Sequence, residues 1–332
     1  MARMIIVGSG VVGTATGTGF ARMGHQVQFV DIMQTRVDTL RSLGYSASTK
    51  IDLTGPEAYI ILTLPTPHEG RRYDLRLFTQ GVRDVAEALK QAQAFHTVVV
   101  RSTVPPNTCE GLVQPELEEI SGKRVGIDFS LASNPEFLRA ECAAEDFMNP
   151  WMTILASRSK RTVEKLLEVY KPFGGEIQTF SKPAEAELIK CSHNVFNAVK
   201  ISYWNDIWRV AKALNLDADR IADTVSRSAE GSWNVRYGVK GGAPYGGACL
   251  PKDTNGLFGF AAELGIDMPV LNGTIITNEI MEKMNEGSKA AKPAPATSAA
   301  QVKQLVNAGV VSSNGHATNG SSSADIDLTK EA

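Results

Sequence analysis

Cys249 follows two glycines and precedes a lysine and an aspartate in the run PYGGACLPKDT, an order of residue types that can do covalent chemistry. Glycines such as Gly246 and Gly247 let the backbone pass close to a ligand. A thiol beside the cation of Lys252 is a candidate nucleophile, because the thiolate is the attacking form and a positive neighbour stabilises it. Taken alone, the same run reads more simply as a glycine-rich turn over a small buried cysteine. A second pair, Lys190 and Asn194, stands four apart in AELIKCSHN, so on a helix both face one side. By itself such a pair is most simply an exposed polar face. The other cysteines, at 109, 142 and 191, form no CxxC pair and are expected to be small core or surface thiols. Cys191 and His193 cannot share a helix face, so no metal site is expected.

A third group sits near the N-terminus. IIVGSGVVG places Gly8, Gly10 and Gly13, with Val11 and Val12 between the last two, after a short apolar run and before a helical pattern. The first glycine makes the tight turn, the second admits a pyrophosphate, and the third lets helix and strand pack closely. Amide donors at the helix start would meet the phosphates. VQFVD follows and ends in Asp31, a carboxylate suited to ribose hydroxyls and repelled by a 2′-phosphate, so NAD is expected over NADP.

These groups need elements to position them. Apolar, β-branched runs recur in MIIVG, VQFVD, YIILTLP, TVVVRST, FSLASNP, WMTILA and EIQTF, with helix-like stretches between most of them. Alternating strand and helix, with strands apolar on both faces, predicts an α/β fold: a Rossmann-like doubly wound parallel sheet. The alternation stops near Phe180. Pro183 to about Leu214 contains no internal Gly or Pro and predicts one long helix. Trp204 and Trp208 stand four apart on it, more simply a packing or subunit seam than a cofactor box. A helical stretch at 216–229 leads to the glycine-rich segment 238–247, and helical pattern then runs to about Met284. Residues 287–332 contain no aromatic residue and are rich in Ala, Ser, Asn and Gly, which predicts a disordered tail with a short helix near 299–306. The expected domains are therefore 1–180, 181–286 and the tail 287–332.

The chain of 332 residues has 34 basic and 36 acidic side chains, so no basic footprint points to nucleic acid or an anionic membrane. Unpaired cysteines fit a reducing compartment. The apolar run at the N-terminus is too short for a signal peptide, and no stretch is long enough to span a membrane. A soluble cytoplasmic protein is expected.

Read together and in order, GSGVVG, LPTP (64–67), RSTVPPNT (101–108), NPEFLR (134–139) with Asp146, AELIKCSHN (186–194) and GGACLPKD (246–253) resemble the UDP-glucose/GDP-mannose dehydrogenase family. The resemblance covers residues 1 to about 285. It implies an NAD-binding domain, a long helix that pairs two subunits, and oxidation of a sugar C6 alcohol to a carboxylate with two NAD, UDP-glucose being the favoured substrate. By the same resemblance Cys249 holds the aldehyde covalently, and Lys190 and Asn194 stabilise developing oxyanions. Asp253 and Thr103 position or deprotonate water, and Glu136 assists hydrolysis and touches the sugar. Phe137, Leu138, Tyr245, Gly246, Gly247 and Lys252 are implied as substrate contacts, and Thr66 and Thr103 as cofactor contacts.

Two departures stand out. Family members continue NPEFLREG, whereas this chain reads NPEFLRAEC, so Ala140 replaces a second glutamate and Glu141 sits one position late. The family's third domain, which completes the nucleotide pocket, is also expected to be absent, because a polar low-complexity sequence follows residue 286. Two other readings remain open. One is a binding or assembly subunit of weak activity; the other is a two-electron hydroxyacid dehydrogenase, which also carries a Lys and an Asn four apart but needs no cysteine.

Overall fold

A computed structural model describes residues 1–288, with side chains to 286. The tail expected at 287–332, with its short helix near 299–306, lies almost entirely outside the described residues. In chain order the elements are β1 (Arg3–Val7), α1 (Val11–Arg22), β2 (Gln26–Val30), α2 (Gln34–Ser42), β3 (Ser46–Ser48) and β4 (Ala58–Leu62). A small hairpin, β5 (His68–Glu69) and β6 (Arg72–Tyr73), precedes α3 (Arg76–Gln91) and β7 (His96–Val100). A π-helical turn (Cys109–Val113) runs into α4 (Gln114–Ser121); then come β8 (Phe129–Ser133), α5 (Ala143–Met148), β9 (Met152–Ala156), α6 (Lys160–Tyr170) and β10 (Glu176–Phe180). The helical part holds α7 (Pro183–Ala213), α8 (Ala218–Ser228), α9 (Glu230–Trp233), α10 (Leu250–Glu263) and α11 (Pro269–Ser288).

The fold is α/β. All seven apolar runs form strands of one eight-stranded sheet, ordered β10-β9-β8-β7-β4-β1-β2-β3. Chain order reverses between β1 and β4, which makes the crevice at the ends of those two strands the switch point where such sheets bind dinucleotides. One difference from the expected parallel sheet is local. β9 meets β8 antiparallel, with Ser133 opposite Ala156, and β10 follows β9 in parallel. The segment from β8 to β9 returns on the end where β8 leaves, so no crossover is needed. No apolar run marks β3, which is the short stretch Ser-Ala-Ser with only Ala47 buried.

Why the strands read as unbroken apolar runs is plain from the core. Successive side chains of a strand face opposite sides. Ile5 and Val7 of β1 join Phe78, Val82 and Leu117 on one face of the sheet; Met4 and Ile6 join Phe20, Phe29 and Phe147 on the other. Each such side chain contributes about 1.5–3 kcal/mol when fully buried.

The long helix α7 has 31 residues and a span of about 46 Å. Pro183 opens it, and Glu185 accepts from the backbone N–H of Lys182 at 3.2 Å, closing its first turn. Pro183, Ala186, Glu187 and Lys190 are buried, residues 194–200 are exposed on every side, and Asp206, Val210 and Ala211 are buried again. At that far end Val210 clusters with Ala261 of α10 and with Met268 and Leu271. Asp206 accepts from the backbone N–H of Val270 at 3.0 Å, capping the first turn of α11.

By contact the chain divides into two units. The first holds residues 1–241 and 245–277, with the whole sheet. The second holds 242–244 and the chain from Asn278 on, where Asn285 donates to the Gly242 carbonyl at 3.5 Å.

Candidate active site

The glycine loop is built as a cradle. Gly8 has φ +95°, and a Cβ there would lie 2.6 Å from the Thr63 carbonyl oxygen. A Cβ on Gly13 would lie 1.9 Å from the Gly8 carbonyl oxygen, whereas one on Gly10 would meet nothing within 4 Å. Gly8 and Gly13 are thus closed by packing, and Gly10 leaves an open face at the start of α1. Val11 is exposed there and Val12 half-buried. This cradle fits the pyrophosphate of a dinucleotide.

Asp31, 6% exposed, ties the loop to β2. Its Oδ2 accepts from the Ser9 N–H at 2.8 Å and the Ser9 hydroxyl at 2.6 Å, and its Oδ1 accepts from the Met33 N–H at 2.9 Å. Arg36 lies 3.2 Å away as an ion-pair partner. Burial pushes the Asp31 carboxyl up, but the donors from Ser9, Met33 and Arg36 outweigh it and hold the group below the usual carboxylate range. Sequence reasoning did not name Ser9 or Arg36. The only signal was a cation five residues after the ribose-type carboxylate.

Beside the cradle, Thr66 and Thr103 are brought together: the Thr66 hydroxyl donates to the Thr103 carbonyl at 2.6 Å. They lie on the loops after β4 and β7, and Ser102 adds a second tie to the Leu64 carbonyl at 2.8 Å.

The loop after β8 is fixed from beneath. Arg101, buried, donates from Nη1 to Asn134 Oδ1 at 2.6 Å and from Nε to Thr16 Oγ1 at 3.0 Å. The Asn134 amide donates to the Ile154 carbonyl at 2.8 Å, and the Tyr170 hydroxyl donates to Asn134 Oδ1 at 2.5 Å. The arginine of RST and the asparagine of NPEFLR are therefore scaffold. They present Glu136, whose Oε2 accepts from the Leu138 N–H at 2.5 Å and whose Oε1 lies 3.1 Å from Lys190 Nζ. The pair is nearly sealed, with side chains 6% exposed for Lys190 and 13% for Glu136.

Lys190 also donates to Asn194 Oδ1 at 3.3 Å and lies 5.4 Å from the Phe137 ring centroid. His193 packs edge-on against Phe137 at 5.0 Å. Burial, and then the Lys190 charge, lower its pKa, which keeps it neutral at neutral pH. Glu141 is exposed, in a short 3-10 turn (Ala140–Cys142), and takes no part. Among the described residues no group of His, Cys, Asp and Glu could hold a metal.

The cysteine loop is different. Cys249 is exposed, at the N-terminal end of α10, just after Gly247 with φ +80°. Lys252 pairs with Asp253, both well exposed, and the Tyr245 hydroxyl lies 3.4 Å from Thr254 Oγ1. Among the described residues no hydrogen bond or ion pair links Cys249, Lys252 or Asp253 to the Lys190 group. The helical rise explains the separation. Lys190 lies about 30 Å along α7 from Val210, where α10 packs through Ala261, and Cys249 lies about 18 Å along α10 from Ala261. Even with the two helices running the same way, about 12 Å along the axis would remain, and running oppositely the two spans would add.

Residues 42–174 match the UDP-glucose/GDP-mannose dehydrogenase family NAD-binding domain, and residues 184–280 match that family's central domain. The chain is 32% identical over 300 residues to a GDP-mannose 6-dehydrogenase of Pseudomonas aeruginosa, covering 83% of this chain and 68% of that one. It is also 32% identical over 299 residues to a UDP-glucose 6-dehydrogenase of Haloferax volcanii, covering 82% and 69%. Among solved structures, a ternary complex of the P. aeruginosa GDP-mannose dehydrogenase superposes with a TM-score of 0.77 at 31% identity, covering 85% of this chain and 69% of that one. A UDP-glucose dehydrogenase of Pyrobaculum islandicum gives a TM-score of 0.64 at 33% identity, with the same coverage. The glycine cradle thus agrees with the NAD-binding domain that the comparisons find: this chain belongs to the UDP-glucose/GDP-mannose dehydrogenase family, whose members bind NAD and oxidise nucleotide sugars.

Proposed function

We propose that this chain converts the C6 alcohol of a nucleotide-activated hexose to a carboxylate, with two NAD and one water consumed per sugar. The observation that carries this reading is the nearly sealed pair of Lys190 and Glu136, with the exposed Asn194 bonded to Lys190, beside the loops that adjoin the glycine cradle. Bound NAD would supply the hydride acceptor, twice. Lys190 and Asn194 would hold the C6 oxygen as it gains negative charge. The Cys249 thiolate would add to the aldehyde carbon, forming a C–S bond that keeps the intermediate from escaping. Loss of the second hydride leaves a thioester. Water, positioned by Thr103 and deprotonated by Glu136 or Asp253, would then break the C–S bond, releasing the carboxylate and returning the thiolate. Phe137, Leu138, Tyr245, Gly246, Gly247 and Lys252 are the proposed sugar-nucleotide contacts.

Substrate choice lies between two chemistries, because relatives named for GDP-mannose and for UDP-glucose share the same sequence identity with this chain. The favour that the sequence reading gave to UDP-glucose has no support in these identities.

The reading extends to a homodimer. The exposed stretch 194–200 of α7 includes Val195, Phe196 and Val199, an apolar surface that a second α7 would cover. Such pairing would also let the Cys249 loop of one protomer approach Lys190 of its partner, across the gap left within one chain. We place the domain boundary near residue 180, before α7, and the protein in the cytoplasm; none of the described helices is long and apolar enough to cross a membrane.

The test is NADH counted per sugar with GDP-mannose and with UDP-glucose. Two NADH from one of them is expected. One NADH per substrate, or none with either, would overturn the proposal.

A further inference from the structure

Behind the Lys190 group lies a carboxyl that the reaction does not use. Glu187, one turn before Lys190 on α7, is 2% exposed. Its Oε1 accepts from the Cys109 N–H at 2.8 Å, and the N–H groups of Asn107 and Thr108 also turn toward it. Its Oε2 has no hydrogen-bond partner. Burying that carboxyl with one oxygen unpartnered is costly, so a packing role must hold it there. The Cys109 thiol, fully buried, lies between Glu187 and Ser133, the last residue of β8. Asn107 turns the chain into this contact with φ +72°.

The three segments that meet here are those that carry the site. Residues 107–109 follow Thr103 by a few positions, Ser133 precedes Glu136 by three, and Glu187 precedes Lys190 by three. A second thread runs in parallel, since the Cys191 thiol reaches the Val104 carbonyl at 3.4 Å. We propose that Glu187 is a positioning residue for the dehydrogenase reaction: its buried carboxyl clamps α7 to residues 107–109, and so sets the height of Lys190 against Glu136 and Thr103. The inference rests on reading the Lys190 group as the reacting site. Its force comes from the steep dependence of such reactions on placement, where about 1 Å can cost 10²-fold.

Burial pushes the Glu187 carboxyl up, and the Cys109 side chain and the three N–H donors only partly offset this. The titratable groups beside it are the Cys109 thiol, itself pushed well up by burial and by Glu187, and Glu110, which acts on that thiol. A carboxyl raised in the folded state contributes stability that is present below its ordinary range and lost as pH rises through the raised value. The wild-type protein should therefore lose stability with rising pH in a way that Glu187→Gln does not.

The experiment compares Glu187→Gln, Glu187→Ala and a Lys190→Ala control, with either sugar nucleotide as substrate. Glu187→Gln keeps the shape and the acceptor for Cys109, so kcat should stay within about twofold of wild type. Glu187→Ala should lower kcat by about 10²-fold with KM for NAD little changed. Alkylation of Cys109, read by peptide mass, gives a measure independent of turnover. It should be slow in the wild type and in Glu187→Gln, and at least about tenfold faster in Glu187→Ala. Glu187→Gln as damaged as Glu187→Ala, or Glu187→Ala with kcat intact, would overturn the proposal. Should Glu187→Ala not fold, the pH dependence of stability in Glu187→Gln decides: a profile matching the wild type sinks the role given to the Glu187 carboxyl. A fully active Lys190→Ala would instead remove the reading of the site.

Discussion

The sheet half of the chain and the helical half treat their reactive side chains in opposite ways. In the sheet half, Asp31, Thr66, Thr103 and Glu136 each have named hydrogen-bond or ion-pair partners, and the loops that carry them are tied to strands. In the helical half, Cys249 is exposed and Lys252 and Asp253 pair only with each other at the surface. Between the halves runs α7, buried at both ends and bare in the middle. The difference separates what one chain can preorganise from what needs a further surface. The glycine cradle and the Lys190–Glu136 pair are assembled among the described residues, and no hydrogen bond or ion pair joins Cys249 to them.

The largest expected effect tests the second half of that comparison. Cys249→Ala should lower acid formation by about 10³-fold or more, measured as NADH per sugar, because the covalent step is lost. Mixing Cys249→Ala with Lys190→Ala protein would sharpen it. If the cysteine of one protomer serves the lysine of its partner, equal mixing restores about a quarter of wild-type activity, since half the dimers then hold one intact site. No recovery on mixing would put both groups in one chain.

Lys190→Ala probes the half that is already assembled. Activity should drop by about 10²- to 10³-fold, while NAD binding, followed by fluorescence, stays near wild type. A parallel loss of NAD affinity would mean that the cradle and the cluster are not separate.

A smaller effect is expected at Asp31. Asp31→Asn should cost about 1–3 kcal/mol of stability, read from denaturant unfolding at neutral pH. The wild-type carboxyl is held below its ordinary range, so its contribution is present above that range and lost as pH falls through the lowered value. The gap between the two proteins should therefore close in acid; a gap that persisted there would assign the loss to packing.

The legibility of the molecule in its sequence follows the same line. Strands β1, β4, β7 and β8 could be read because they are buried on both faces and so carry unbroken apolar runs. The glycine cradle was legible because steric closure at Gly8 and Gly13 admits no other side chain without displacement. The span of α7 was legible because nothing in it breaks a helix, and the structure ends it within a residue of the expected point. The Lys190 group was reached only through the family resemblance, since two polar residues four apart say nothing of the Glu136 carboxylate more than fifty positions earlier. Arg36, Ser9 and Glu187 were not reached at all. Their significance lies in which backbone or side chain they meet, and that is set by the crossing of distant segments. The reversed direction of β9 was hidden for a related reason, because an apolar run has no polarity.

The ion pair of Lys190 and Glu136 carries a consequence for the empty enzyme. Two opposite charges at 3.1 Å cancel each other's field, so the resting cleft offers little pull to a stray anion. On the proposed function, a sugar hydroxyl that drew the glutamate aside by hydrogen bonding would free the ammonium to act. Lys190 would thus, on that reading, be armed by arrival of the sugar, at the cost of separating two partners that hold each other between turnovers.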